Sequence, residues 1–237
     1  MDKHARPFDK GLEELQKKLV HMAAIAETMI DKAIGELVTR DEHVADKVPE
    51  YEDELNRSQI EVDELALVLL ATQQPVARDL RFIVAATKIN SDLERIGDLV
   101  VNITENVRIL AQQPRLKPLI DIPRMADLAR KMVRESVQAF LGEDPKLAQA
   151  VILNDDEVDG LKQQILRELL TYMIADPRTV ERALALILIS RHLERIADHA
   201  TNIAQDIIYM VQGRDVRHPK TAREKPPTEK PSTESQP

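Results

Sequence analysis

Cysteine and tryptophan are absent from this 237-residue chain, and glycine occurs only six times. Without thiols there are no disulfides, iron–sulfur clusters, thiolate zinc sites or thiol nucleophiles. Aromatic residues make up only 3% of the chain. So little aromatic residue and glycine starves β-sheets and their turns, which leaves a helical protein as the default. Basic charge is also in deficit, with 33 Lys and Arg against 41 Asp and Glu, a net of -8. That balance argues against a general nucleic-acid binder, whose phosphate contacts need a basic footprint. Long apolar runs are missing as well: Leu65–Ala71 and Ala183–Ile189 hold seven residues each, too few to span a membrane. The polar start, without an apolar signal core, predicts a cytoplasmic protein.

What the chain does contain is proline in informative places. Five of its 13 prolines follow Gly213, in a stretch so poor in apolar residues that 214–237 is expected to be a disordered tail. That tail carries six Lys and Arg against four Asp and Glu, so its contact with an acidic partner or anionic headgroups would be modest. Pro114, Pro118 and Pro123 mark a short stiff linker near 112–123, with 114–120 as the segment between units. Between these marks the periodicity predicts six amphipathic helices near 8–40, 43–73, 75–111, 121–142, 144–174 and 177–212. Asp41, Asp144 and Asp176 are candidate caps for the second, fifth and sixth, while Gly142 and Gly213 are candidate stops.

The chain also repeats itself. Asp92-Leu-Glu-Arg-Ile-Gly-Asp98 recurs as His192-Leu-Glu-Arg-Ile-Ala-Asp198, an offset of 100 residues, and Asn102-Ile103 recurs as Asn202-Ile203. Upstream, Asp53-Glu54-Leu55-Asn56 matches Asp156-Glu157-Val158-Asp159 at an offset of 103. The simplest account is one three-helix unit duplicated, over 8–113 and 121–213, giving an all-α protein of two tandem three-helix bundles.

Within the third helix, Ile89, Leu93, Ile96, Val100, Ile103, Val107 and Leu110 form a seam of alternating four- and three-residue spacing. The sixth keeps that register from Ile189 to Met210, so both seams should be buried. Glu94, Asp98 and Asn102 then fall together on an outward stripe, and Glu194, Asp198 and Asn202 form its counterpart. Glu27 and Asp31 occupy equivalent outward positions on the first helix. Carboxylates one turn apart repel unless a cation lies between them, and a hard cation wants about six oxygens. A neighbouring helix must therefore add ligands. In the second unit Asp155 and Asp159 are placed to do so, and in the first Glu52 and Asn56. The bland alternative is a solvated helix face, with Arg95 and Arg195 forming weak surface pairs.

The paired Leu-Glu-Arg-Ile-(Gly/Ala)-Asp segments, with Gln74-Pro-Val-Ala-Arg-Asp-Leu-Arg81 ahead of the third helix, resemble the PhoU family, accessory proteins of high-affinity phosphate transport. The resemblance covers about 8–213. It implies pseudo-two-fold symmetry between the bundles and multinuclear clusters of iron, zinc, magnesium or manganese on the acidic motifs. Carried over, it assigns Glu94, Asp98, Glu194 and Asp198 as ligands, with Asn102 and Asn202 beside them. It further implies negative regulation, with a sensor histidine kinase and the phosphate ABC transporter ATPase subunit as partners. A peripheral place at the inner membrane face through those partners, and a homodimer, are compatible with it. Two departures stand out: Asn56 replaces the carboxylate of Asp159, and Arg130 and Arg134 align with Glu27 and Asp31. Two sites, if both form, should differ.

Other chemistry is thinly represented. His192 and His199 flank the second seam and offer imidazole to a zinc or iron site, although a bundle-edge role is the plainer reading. No Glu is followed three residues later by His, which argues against a ferritin-type di-iron site. There is no Walker-type loop, Gly-x-Ser-x-Gly or His-Glu-x-x-His, and no catalytic residues are assigned. Three functions remain open on the residues: a metal-binding adaptor, a metal-dependent phosphohydrolase, and a helical scaffold whose acidic stripes bind basic partners.

Overall fold

The computed structural model describes residues 7–41 and 43–217. Its helices are α1 (Pro7–Thr39), α2 (Val48–Gln73), α3 (Ala77–Ala111), α4 (Asp121–Gly142), α5 (Pro145–Ala175) and α6 (Val180–Gln212). Among the described residues there is no strand. At 1.5 Å per residue, α1, α3 and α6 each run about 50 Å.

Apolar spacing explains why these helices pair. On α1, Leu15, Leu19, Met22, Ala26, Met29 and Ala33 recur every three or four residues and are fully buried. Every residue of the α3 seam from Ile89 to Leu110, and of the α6 seam from Ile189 to Met210, lies in the core as expected. Each such Leu or Ile contributes roughly 1.5–3 kcal/mol on burial. The first unit packs α1, α2 and α3 together, and the second packs α4, α5 and α6. The units join where α3 meets α6 and α1 meets α4.

Polar contacts across that junction reveal its symmetry. Arg81 Nε donates to the Met210 carbonyl (3.0 Å), Lys88 pairs with Asp206 (3.1 Å), and His199 with Asp92 (2.8 Å). Residue numbers rise along α3 as they fall along α6, so the helices are antiparallel and converge on Ile96 and Ile196. Between α1 and α4, Arg134 pairs with Glu27 and Arg130 with Asp31 (2.8 and 2.7 Å). These two pairs converge on Met29 and Met132. Ile96 with Ile196, and Met29 with Met132, are equivalent positions of the repeat. The pseudo-two-fold axis therefore passes through both places.

Several helix ends differ from expectation. Asp41 does not cap α2, which starts at Val48 with Pro49 in its first turn. Instead Asp41 closes a turn by accepting from His43 N (3.1 Å), and Glu36 Oε2 holds Ala45 N (3.1 Å). Asp144 does cap α5, accepting from Lys146 N and Leu147 N. Asp176 caps a 3₁₀ turn, Pro177–Thr179, that precedes α6. Gly142 ends α4 but is not its left-handed residue; that is Glu143 (φ 46°). Gly213 is left-handed (φ 66°) and does stop α6. The expected tail begins in contact with the core, since Val216 packs against it and Arg217 pairs with Asp206. The remainder, 218–237, lies outside the described residues.

The connection between units is fastened rather than loose. Arg115 Nη2 donates to the Val38 carbonyl (2.6 Å) and Arg182 Nη1 to the Pro114 carbonyl (3.1 Å). Lys117 is buried and pairs with Glu168 and, at 3.7 Å, Asp121.

Candidate functional site

The carboxylates of the repeated motif gather on two pairs of helices, α2 with α3, and α5 with α6 where a groove lies between them. On α3, Glu94 and Asp98 face α2, where Glu52 lies beside them. Burial, then the charge of Asp98, raises the pKa of both Glu52 and Glu94. Mutual influence of this kind requires proximity. Among the described residues no ion pair engages Glu52, Glu94 or Asp98, and the charges of Arg95 and then His199 offset the repulsion at Glu94 only in part.

In the second pair, Asp155 and Asp159 of α5 meet Glu194 and Asp198 of α6. Burial, then Asp198, Asp159 and Glu194, pushes Asp155 up from 3.8 to about 6. Asp198 is likewise raised, by burial and then Glu194 and Asp159. A cation occupies part of this groove. Lys162 Nζ donates to Asp159 Oδ1 (2.8 Å) and Glu194 Oε1 (2.7 Å), and these hydrogen bonds raise its pKa.

The structure thus brings together Glu94, Asp98 and Glu52 in one cluster and Asp155, Asp159, Glu194 and Asp198 in the other. It does not add Glu27 and Asp31, expected on the sequence as further ligands. Their carboxylates instead accept from Arg134 and Arg130 at the α1–α4 junction. The asparagines also diverge. Asn102 Nδ2 donates to its own helix at the Asp98 carbonyl (2.9 Å). Asn202 lines a different groove, with Lys88, Asp92, Arg95 and Asp206. Steps of four residues advance about 40° around a 3.6-residue helix, so the third member of each stripe rotates away from the first. His199 is engaged by Asp92. His192 keeps Nδ1 buried without a partner among the described residues, and burial lowers its pKa.

Among the described residues no three His, Asp or Glu side chains form a ready metal-ligand set. By donor type the first cluster fits a hard divalent cation, since its three members are carboxylates that no ion pair engages among the described residues. The second cluster does not fit in the same way, because an ammonium stands between two of its four carboxylates. Sequence reasoning missed Lys162. Its signal was readable: it follows Asp159 by three residues, where the first copy has Gln59 after Asn56.

Asp155 supplies a pH prediction for the metal-free protein. Its folded-state pKa lies above the unfolded value, so the native state binds the proton more tightly. Stability is then highest below about pH 4 on this account and declines as pH rises through about 6. Asp155→Asn should flatten that decline and stabilise the chelator-treated protein at pH 7 by on the order of 1 kcal/mol, allowing for solvent screening. Urea unfolding at pH 4.5 and 7 would check it; an unchanged slope with pH would contradict the assignment.

The PhoU domain family model matches residues 19–107 and 122–207, one match in each unit. The chain is 41% identical over 209 residues to a protein of Aquifex aeolicus called a phosphate-specific transport system accessory protein PhoU homolog, covering 88% of this chain and 95% of the relative. The Pseudomonas aeruginosa relative of the same name is 36% identical, with 90% and 89% covered. The crystal structure of PhoU from Pseudomonas aeruginosa superposes with a TM-score of 0.84 at 36% identity, covering 87% of this chain and all of that one (100%). A second crystal structure, the phosphate transport system regulatory protein PhoU from Streptococcus pneumoniae, gives 0.80 at 25% identity, covering 88% and 99%.

Proposed function

This chain belongs to the PhoU family, and from that premise we propose that it is a metal-binding, non-enzymatic accessory protein of phosphate transport that acts as a negative regulator. In this reading it links the phosphate ABC transporter, through its ATPase subunit, to a sensor histidine kinase at the cytoplasmic face of the membrane. The observation that carries the accessory role is the extent of the match, in which both units align with relatives named for that role over about nine-tenths of the chain. Negative regulation and the kinase link rest on the family resemblance. The test is expression of alkaline phosphatase in phosphate-replete cells of the source organism. Loss of this gene should derepress it and the intact gene should restore repression; unchanged repression would reject the phosphate-signalling role.

The metal part of the proposal rests on the first cluster, where Glu52, Glu94 and Asp98 present hard oxygen donors suited to iron, zinc, magnesium or manganese. Replacing Glu94 and Asp98 together by alanine should lower the bound metal while leaving helicity intact, because both side chains lie outside the core seam. Metal analysis of the purified variant beside its circular dichroism spectrum separates the two effects. Equal metal content in variant and wild type would remove these residues from the site. Phosphoester hydrolysis lost in the same variant would instead favour a metal-dependent hydrolase.

A further inference from the structure

We propose that Lys162 is the resident cation of the second carboxylate cluster, so that this cluster is closed to tight divalent metal binding while the first remains open. The inference rests on the metal-binding reading of the first cluster and extends it to the difference between the two copies.

The repeat makes the comparison residue by residue. Glu94 and Asp98 correspond to Glu194 and Asp198, and Glu52 corresponds to Asp155. Two positions differ: Asn56 against Asp159, and Gln59 against Lys162. The second copy therefore carries one more negative and one more positive side chain, a turn apart on the same helix. Both clusters keep the same net charge of three negatives. Their distribution is unlike. In the first, no ion pair among the described residues engages any of the three carboxylates. In the second, the Lys162 ammonium donates to Asp159 Oδ1 at 2.8 Å and Glu194 Oε1 at 2.7 Å.

A cation bridging one carboxylate from each helix does what a divalent ion would do there: it removes the repulsion that the converging acids create. Only Asp155 and Asp198 remain outside the bridge. Two carboxylates are a poor start toward the six or more oxygens a hard divalent ion takes. Asp159 Oδ1 and Glu194 Oε1 could join a metal only if both ammonium hydrogen bonds broke, and charge-assisted bonds are the strong kind. Through their other oxygens a metal would stand close to the ammonium charge and be repelled by it. Metal and ammonium therefore compete for the same carboxylates. Lys162 is tethered and always present, so the competition favours it at low metal concentration.

The experiment titrates the full chain with Mn²⁺ by calorimetry and reads stoichiometry by electron paramagnetic resonance. Wild type should show tight binding at the first cluster and, at the second, binding weaker by about tenfold or more, the scale of one pK unit of differential interaction. Lys162→Gln, which copies the residue of the first unit, should bring the second cluster to comparable affinity. The converse variant, Gln59→Lys, changes no proposed ligand and should weaken the first cluster by about tenfold on the same scale. Adding Glu94→Gln and Asp98→Asn to Lys162→Gln should abolish only the first site. Two equal tight sites in wild type, or a Lys162→Gln variant that gains none, would overturn the Lys162 assignment and leave first-cluster binding standing. No Mn²⁺ bound by wild type or by Lys162→Gln would overturn the metal reading itself and this inference with it.

Discussion

Phe140→Ala should be the most damaging single truncation considered for this protein, lowering its stability by about 3–5 kcal/mol. The ring is fully buried and stacks on Phe82 with centroids 4.9 Å apart and planes inclined by 27°. Phe82 belongs to α3 of the first unit and Phe140 to α4 of the second, so the stack fastens one unit to the other. Alanine removes the buried area, leaves a cavity that long packed helices cannot collapse into, and ends an aromatic pair worth about 0.5–1.5 kcal/mol in itself. At this chain length the loss corresponds to a melting temperature lowered by roughly 6–20 °C. Urea unfolding of Phe140→Ala beside Phe140→Leu would measure it. A cost below about 1 kcal/mol for alanine would mean that the ring is not seated between the units.

Gly97→Ala should destabilise the wild-type background and stabilise a Leu55→Val background. A Cβ on Gly97 would stand 2.3 Å from Leu55 Cδ2, and Leu55 is fully buried. Such overpacking costs about 1–3 kcal/mol, against a helix-propensity gain of about 1 kcal/mol for replacing glycine. The second copy shows how the conflict is resolved. Ala197 occupies the position of Gly97 and Val158 that of Leu55 in the repeat, both fully buried. The shorter valine makes room for the methyl group. A double-mutant cycle in urea should give a coupling of about 1–3 kcal/mol, the size of the clash relieved. Independent, additive effects would show that Leu55 moves aside freely.

Much of the architecture was legible because it depends on local spacing. The seam from Ile89 to Leu110 and its copy from Ile189 to Met210 could be read directly, since a buried helix face must recur with the helical period. The duplication could be read from the recurring Leu-Glu-Arg-Ile segment. Helix starts were less legible. Asp41 looked like a cap, but the chain uses it to close a turn and starts α2 beyond it at Val48. Cap residues and turn residues are chemically the same, and only the path of the chain separates them.

The carboxylate clusters divide along the same line. Spacing on one helix placed Glu94 with Asp98 and Glu194 with Asp198, because residues four apart share a face. Spacing also nominated Glu52, Asp155 and Asp159 on the neighbouring helices. It equally nominated Glu27 and Asp31, which the tertiary structure pairs with Arg134 and Arg130. Those arginines sit 107 and 99 residues away, a relation no periodicity within a helix can express. By itself, the sequence determined the helices, their apolar faces, the duplication and the residues eligible for a site. The antiparallel meeting of α3 with α6, the charge pairing of α1 with α4 and the lodging of Lys162 in one cluster alone were decided by the tertiary structure. The reason is physical: helical periodicity determines which side chains share a face, but which face meets which partner depends on packing across the whole chain.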